Sequence, residues 1–338
     1  MKIILKVLKW MGLSIGGLLL LIVLAGLVFR LFDAAPHQPE GKLVDIGGFK
    51  LHINPSGEKN NQPTLVIEGG SGIGTEHYHW LSEGLKDSMR VVRYDRAGIG
   101  YSDASDTPRD PETIARELHT LLEKAGESPP YILAAHSLGG PYIRVFTQLY
   151  PDEVVGMVLM DVTHTKRGEL LNLPPKSSYQ FKSMVLTYKV FGILADLGIA
   201  LLYDAPFRPM LFGEGLPEAI NNRTLDFLKN GKLARAAAKE FDRYYETLER
   251  AHEASDFGAM PIRVFAGAPT SNAEYRERGI NPEKRQALNK RMLTELNQLS
   301  TNSQLFRLDG NHTTIYTKKE NADIICKEIL QLLETFTH

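Results

Sequence analysis

Hydrophobic positions along the chain fall into three regimes. The first is continuous: Trp10 to Phe29 is twenty residues without a charge, and Ser14 carries its only hydroxyl. At about 1.5 Å rise per residue this makes roughly 30 Å of helix, one hydrocarbon thickness. From Lys42 onward, short apolar runs of strand length alternate with stretches of helical period. Strands are expected at Lys42–Ile46, Lys50–Asn54, Thr64–Glu68, Arg90–Tyr94, Tyr131–Ala135 and Val154–Met160, with helices at Glu76–Met89 and Pro111–Ala125 between them. Asp110 reads as an N-cap with Pro111 at the first helical position. Gly47-Gly48 suits an antiparallel hairpin between the first two strands. In the third regime, residues 165–257, helical periods continue without a strand pattern. Met184–Tyr203 reads there as an apolar helix interrupted by Lys189 and Asp196, and Leu233–His252 as a charged amphipathic one. Alternation then resumes with strand Ile262–Ala266, helix Pro282–Leu299, strand Gln304–Leu308 and helix Lys319–Phe336.

Strands alternating with helices predict an α/β fold built on a doubly wound, mostly parallel sheet of about eight strands. Helices inserted between two strands of one sheet make a cap and not a separate fold. The expected organisation is an anchor at 1–32, a polar linker at 33–41, a core at 42–161 and 258–338, and a helical cap at 162–257. Lys2, Lys6 and Lys9 precede the first apolar run, while Arg30 and Asp33 follow it. That bias puts the N-terminus in the cytoplasm and the rest of a single-pass chain on the extracytoplasmic side. A cleaved signal peptide is the competing reading, but its apolar region is normally about 7–15 residues and ends at a small-x-small site. This run is longer, and Phe29-Arg30-Leu31-Phe32 lacks such a site. A buried helix of a soluble protein is the third reading. Met184–Tyr203 suits a core helix or an acyl- or lipid-facing surface, and its two charges argue against a second span.

Composition narrows the function classes. Of 338 residues, 43% are hydrophobic, enough for a large core. Lys+Arg of 39 against Asp+Glu of 40 leaves a net charge of −1, so no basic excess speaks for nucleic acid. Cys326 is the single cysteine, which excludes an intramolecular disulfide and a thiolate metal cluster; in a terminal amphipathic helix it reads as a packing residue. Nothing calls for a metal or an organic cofactor. The glycine-rich loop Gly69–Gly74 is followed by neither a G-K-[ST] nor a G-x-G-x-x-G pattern, so it is not a phosphate cradle.

The chemistry gathers around Tyr131-Ile-Leu-Ala-Ala-His-Ser137-Leu-Gly-Gly140, where an apolar strand enters a sharp turn before a helix pattern from Pro141 to Tyr150. This is close to the G-x-S-x-G nucleophile elbow, with Ala135 in the first glycine's place and Gly139 in the second's. Small neighbours let the backbone tighten and lift the serine hydroxyl above the sheet. The helix that follows points N–H groups and its positive end at the site, which favours a developing oxyanion. The plain alternative is a serine in an ordinary β–turn–α connection.

Arg93-Tyr-Asp-Arg-Ala-Gly-Ile-Gly-Tyr-Ser102 resembles the Y-D-R-x-G-x-G-x-S segment of α/β-hydrolase-fold proteins. With the elbow and Gly310-Asn311-His312 in the same order, the chain resembles that superfamily, in its capped serine-hydrolase form, over residues 42–336. The resemblance implies a Ser…acid…His triad with Ser137 as nucleophile and His312, 175 residues later, as general base. It implies oxyanion donors at Leu138 N–H and at Gly70 or Ser71 N–H, and loop-bracing roles for Asp95 and Arg96. Family members usually carry the acid after the post-cap strand, but Ala266–Asn272 holds no carboxylate before Glu274. Some carry it at the end of the strand before the cap, which here is Asp161. Asp161 is the expected acid, with Glu274, and another acid or none, as the alternatives. His136 adjoins Ser137 and cannot serve as its base; His164 and His252 belong to the cap side. His37, His77, His79, His119 and His338 have no catalytic context.

The implied function is hydrolysis of a carboxylic ester or related acyl compound, with an apolar small-molecule substrate and the bilayer as partners. Peptidase, thioesterase and C–C hydrolase activity stay open. A serine nucleophile argues against haloalkane dehalogenase and epoxide hydrolase chemistry, which on this fold resembles an aspartate elbow. The alternative of another class is a non-catalytic, membrane-tethered binding protein that kept the fold.

Overall fold

Runs of strand-forming sequence with no polar face must be covered on both sides, and that requirement sets the layers of the molecule. A computed structural model describes residues 2–32, 37–205, 208–268 and 270–336. Its strands are β1 (Lys42–Asp45), β2 (Lys50–Ser56), β3 (Thr64–Glu68), β4 (Val91–Tyr94), β5 (Tyr131–His136), β6 (Val154–Met160), β7 (Ile262–Ala266) and β8 (Ser303–Arg307). They form one eight-stranded sheet in the order β1-β2-β4-β3-β5-β6-β7-β8. The β1–β2 and β2–β4 pairs are antiparallel and the others parallel. Gly47 and Gly48, both at positive φ, turn the first hairpin. Every residue of β3, β5 and β7 is buried.

Helices cover both faces: α1 (Lys2–Phe32) precedes the sheet, followed by α2 (His79–Leu85), α3 (Pro111–Ala125) and α4 (Gly139–Leu149). Between β6 and β7 come α5 (Arg167–Leu170), α6 (Tyr179–Asp196), α7 (Ile199–Leu202), α8 (Arg208–Leu211), α9 (Glu218–Thr224), α10 (Lys232–Asp242) and α11 (Tyr244–Glu253). The last are α12 (Asn272–Glu277), α13 (Pro282–Asn297), α14 (Thr314–Thr317) and α15 (Lys319–Glu334). Alternate strand residues feed opposite cores. Leu133 and Leu159 pack with Leu118, Leu121, Ile143 and Phe146 of α3 and α4. Ile132 and Val158 pack with Leu81, Leu85, Ile325 and Ile329 of α2 and α15. Cys326 is buried in this second layer, and burial pushes its thiol up to about 12.

Three expected helices take a different form. Instead of Met184–Tyr203, α6 starts at Tyr179, where the Ser178 hydroxyl accepts the Phe181 N–H at 3.1 Å, and ends before Gly198, whose φ of 74° turns the chain into α7. Leu233–His252 is two helices, broken at Arg243. Glu76–Met89 begins as a 3₁₀ turn over Thr75–Tyr78 and is helical only to Leu85. An apolar period does not report such breaks, because both halves keep the same buried stripe. Of the expected linker 33–41, residues 33–36 lie outside the described residues. His37 N donates to Asp226 of the inserted helices at 2.6 Å.

One buried ionic network joins the sheet to the inserted helices. Arg96 donates to Glu68 at the end of β3 and, through Nε, to Glu240 Oε1 of α10 at 2.8 Å. It also donates to the carbonyls of Gly69 (2.7 Å) and Gly70 (2.8 Å), and Tyr94 donates to Glu68. Burial pushes Glu68 toward its protonated form and the Arg96 charge opposes that. Arg96→Leu would leave two carboxylates buried without their cation. We expect a loss of about 3–5 kcal/mol, read as a melting temperature lower by roughly 5–10 °C. An unchanged melting curve would remove Arg96 from the stability of the fold.

Candidate active site

The sheet order reverses between β3 and β5: the chain steps from β3 out to β4, then returns to the other side of β3. Loops leaving β3 and β5 therefore part at their C-terminal ends and leave a crevice there. Ser137 follows β5 and the glycine loop Gly69–Gly74 follows β3.

The elbow is tight enough to dictate its residues. Ser137 has φ of 53°, a left-handed conformation that a side chain adopts only under constraint. A Cβ on Gly139 would sit 2.6 Å from the Glu68 carbonyl oxygen and 2.7 Å from that of Gly69. A Cβ on Gly140 would run into Val162. The Ser137 carbonyl accepts the Thr163 N–H at 2.8 Å, so the loop leaving β6 is pinned to the elbow. Asp161 opens that loop. It too is left-handed, with φ of 45°, and its N–H donates to the Phe265 carbonyl at 2.8 Å.

His312 comes in from the loop after β8. Gly310 turns it at φ of 128°, and Asn311 Oδ1 accepts the Thr313 and Thr314 N–H groups, both at 3.0 Å. His312 Nδ1 and Asp161 Oδ2 are 2.6 Å apart. An ionised carboxylate only accepts, so the neutral ring carries its proton on Nδ1 and leaves a lone pair on Nε2. The side chains are 52% and 33% exposed, so the pair faces the crevice and not the core. Among the described residues, no hydrogen bond joins Ser137 Oγ to His312. In ligand-free sites this bond is often long and tightens only with substrate.

His136 has a part that its position beside Ser137 does not reveal. Its Nε2 lies 2.8 Å from the His312 carbonyl oxygen, an acceptor only, so Nε2 is the donor. Its Nδ1 is buried without a partner, and burial, then the neighbouring His312, push this imidazole well below the usual histidine range. His136 is thus a neutral peg between the elbow and the His312 backbone, their rings 4.4 Å apart.

Gly70 passes close over the same point. A Cβ there would lie 2.9 Å from His136 Nδ1 and 3.1 Å from Ser137 Cβ. Its own N–H donates to Tyr78 Oη at 3.3 Å. Leu138 is the N-cap of α4, the end at which helical N–H groups lack intrahelical acceptors. Ser71 borders a cavity of about 80 Å³ walled by side chains of the inserted helices, among them Tyr188, Phe191, Leu211 and Phe227.

The remaining candidates lie elsewhere. Glu274 is exposed at the start of α12, ion-paired with Arg278 at 2.5 Å. Within 266–272, Pro269 lies outside the described residues; Ala268 N donates to the Gly310 carbonyl at 2.9 Å. His164 pairs with Glu295 at 3.2 Å, and His252 Nδ1 contacts the Thr165 hydroxyl at 3.3 Å. His338 is outside the described residues. Asp95 accepts the Thr75 N–H at 2.7 Å and meets His52 at 2.8 Å, so it supports the loop after β3.

A family model of the α/β hydrolase fold matches residues 63–188. An uncharacterized protein of Bacillus subtilis, YbdG, is 33% identical over 230 residues, 66% of this chain and 63% of that protein. The human (lyso)-N-acylphosphatidylethanolamine lipase is 32% identical over 112 residues, 32% of this chain and 33% of the lipase. The chain thus spans less than two thirds of the first relative's length and about one third of the second's. Among solved structures, an α/β hydrolase from Nostoc superposes with a TM-score of 0.63 at 13% identity, over 88% of this chain and 98% of that one. Sheet order, elbow and these likenesses agree: the chain has the α/β-hydrolase fold.

Proposed function

We propose that the protein is a serine hydrolase that cleaves a carboxylic ester or related acyl substrate. The observation that carries this is the 2.6 Å contact between His312 Nδ1 and Asp161 Oδ2 beside a serine held in a left-handed turn. His312 Nε2 takes the Ser137 proton as Oγ attacks the carbonyl, then returns it to the leaving group; water hydrolyses the acyl-enzyme by the same relay. Asp161 holds the imidazole tautomer and offsets its positive charge. The Leu138 N–H and that of Ser71 receive the oxyanion, and Ser71 suits this better than Gly70, whose N–H is engaged by Tyr78. The apolar cavity walls and the lipase among the relatives favour an acyl group over a peptide. A fluorophosphonate probe reacts only with an activated serine. Labelling of the full chain, lost when His312 is changed to alanine, is the expected result; no labelling of the folded protein would favour a non-catalytic binding role.

The enzyme is read as membrane-bound through α1, whose apolar residues stand exposed along its length. The lysines before the span favour a cytoplasmic N-terminus and a hydrolase domain on the other side. We expect the chain to pellet with membranes and to be released by detergent but not by high salt. Recovery of the full chain in the soluble fraction would overturn the anchor.

A further inference from the structure

α1 does not stand free of the inserted helices. Gly26, inside the apolar run, is its buried residue, and a Cβ there would lie 2.5 Å from the Leu197 carbonyl oxygen. Gly198 returns the contact, with no room for a side chain against the Gly26 carbonyl. Four residues on, Arg30 donates to the Asp196 carbonyl at 2.5 Å, and Asp196 pairs with Arg235. The charged cluster thus sits at the end of the apolar run, where a headgroup layer begins. The Gly26–Gly198 contact is about one helical turn deeper, roughly 6 Å. If α1 spans a bilayer, the start of α7 is drawn below the headgroups with it.

α6 has the two faces such a place requires. Phe181, Val185, Gly192 and Ala195 are buried on one side, and Tyr188, Phe191 and Ala195 wall the cavity beside Ser71. On the other, Leu186 and Ile193 are 58% and 57% exposed, with Lys182 one turn before Leu186 and Lys189 between the two in the sequence. Leu202 and Tyr203 extend this apolar surface past α7. Exposed apolar residues with interleaved lysines suit an interfacial helix, its aliphatic side chains in the acyl region and its ammonium groups among headgroups. The cavity wall reaches the same place from within: Ala195, Leu211 and Leu228 form one cluster with Ala200 of α7.

We propose that α7 and the outward face of α6 form a second membrane-seated surface, and that the acyl chain of a bilayer lipid passes there into the cavity beside Ser71. The seat stands on the packing of α1 against α7; the entry of substrate rests also on the serine-hydrolase reading above. The test uses the full chain in vesicles of phosphatidylcholine and phosphatidylglycerol. Spin labels at Leu186→Cys and Ile193→Cys, with Glu58→Cys in the exposed β2–β3 loop as reference, are relaxed by oxygen and by a water-soluble nickel chelate. Positions 186 and 193 should favour oxygen and position 58 nickel; nickel-favoured relaxation at all three overturns the seat. In the double variant Leu186→Glu/Ile193→Glu, hydrolysis of a long-chain ester in those vesicles should fall about tenfold, while p-nitrophenyl acetate is cleaved as before. Equal loss on both esters, or none on either, overturns entry from the bilayer. A wild-type protein that cleaves neither ester removes the hydrolase reading and the entry with it, and the relaxation ratio alone then decides the seat.

Discussion

On the proposed mechanism, Ser137→Ala is expected to lower kcat by a factor on the order of 10⁴–10⁶ and to abolish fluorophosphonate labelling, while the protein still folds. The size follows from the triad acting as a unit: without an attacking oxygen, the base and the oxyanion donors have nothing to act on, and only binding and field effects remain. Folding is spared because alanine takes nearly the same backbone preferences as serine and the hydroxyl has no hydrogen bond that the fold needs among the described residues. The elbow's tight contacts at Gly139 and Gly140 do not involve the Ser137 side chain. A purified variant that kept more than about a tenth of the wild-type rate, far above what such a unit leaves behind, would falsify the nucleophile assignment.

Asp161→Asn is expected to lower kcat by about 10⁴, the cost of the analogous change in a serine protease, with KM and melting temperature little moved. Asparagine keeps the shape of aspartate and tolerates the left-handed φ of 45° that this position demands, so the backbone has no reason to shift. What changes is the ring it faces. An amide can donate to Nδ1, which favours the tautomer with its proton on Nε2 and removes the lone pair that must take the serine proton. Glu274→Gln breaks only an exposed pair with Arg278 and should leave the rate near that of the wild type. The reverse ranking of the two variants would move the acid to Glu274 and leave Asp161 a loop residue.

Much of the sheet was legible because its signals are local. Unbroken apolar runs such as Tyr131–Ala135 mark buried strands, and Asp110-Pro111 marks a helix start where Asp110 does accept the Thr113 N–H at 2.9 Å. Helix breaks within the insertion were not, since Gly198 lies in a run whose apolar character continues on both sides. Candidate residues could be named along the chain, but their meeting depends on sheet order: β6 beside β5, then β7 and β8 in turn, bring Asp161 and the loop of His312 to the edge on which Ser137 sits. His136 was discounted for its place next to the serine, and the carbonyl it holds lies 176 positions away, with no pattern in the sequence to connect them. Glu68 ends a strand of apolar residues and Glu240 belongs to a charged helix face; only packing reveals that one guanidinium serves both.

That shared guanidinium limits how the protein can move. Swinging the inserted helices away as one rigid lid would separate Glu240 from Arg96 and strand unlike charges in a dry interior, a penalty of several kcal/mol at each opening. The α10 end of the insertion is therefore a fixed post. Any opening of the insertion must leave α10 seated on the sheet and be confined to segments outside this buried link.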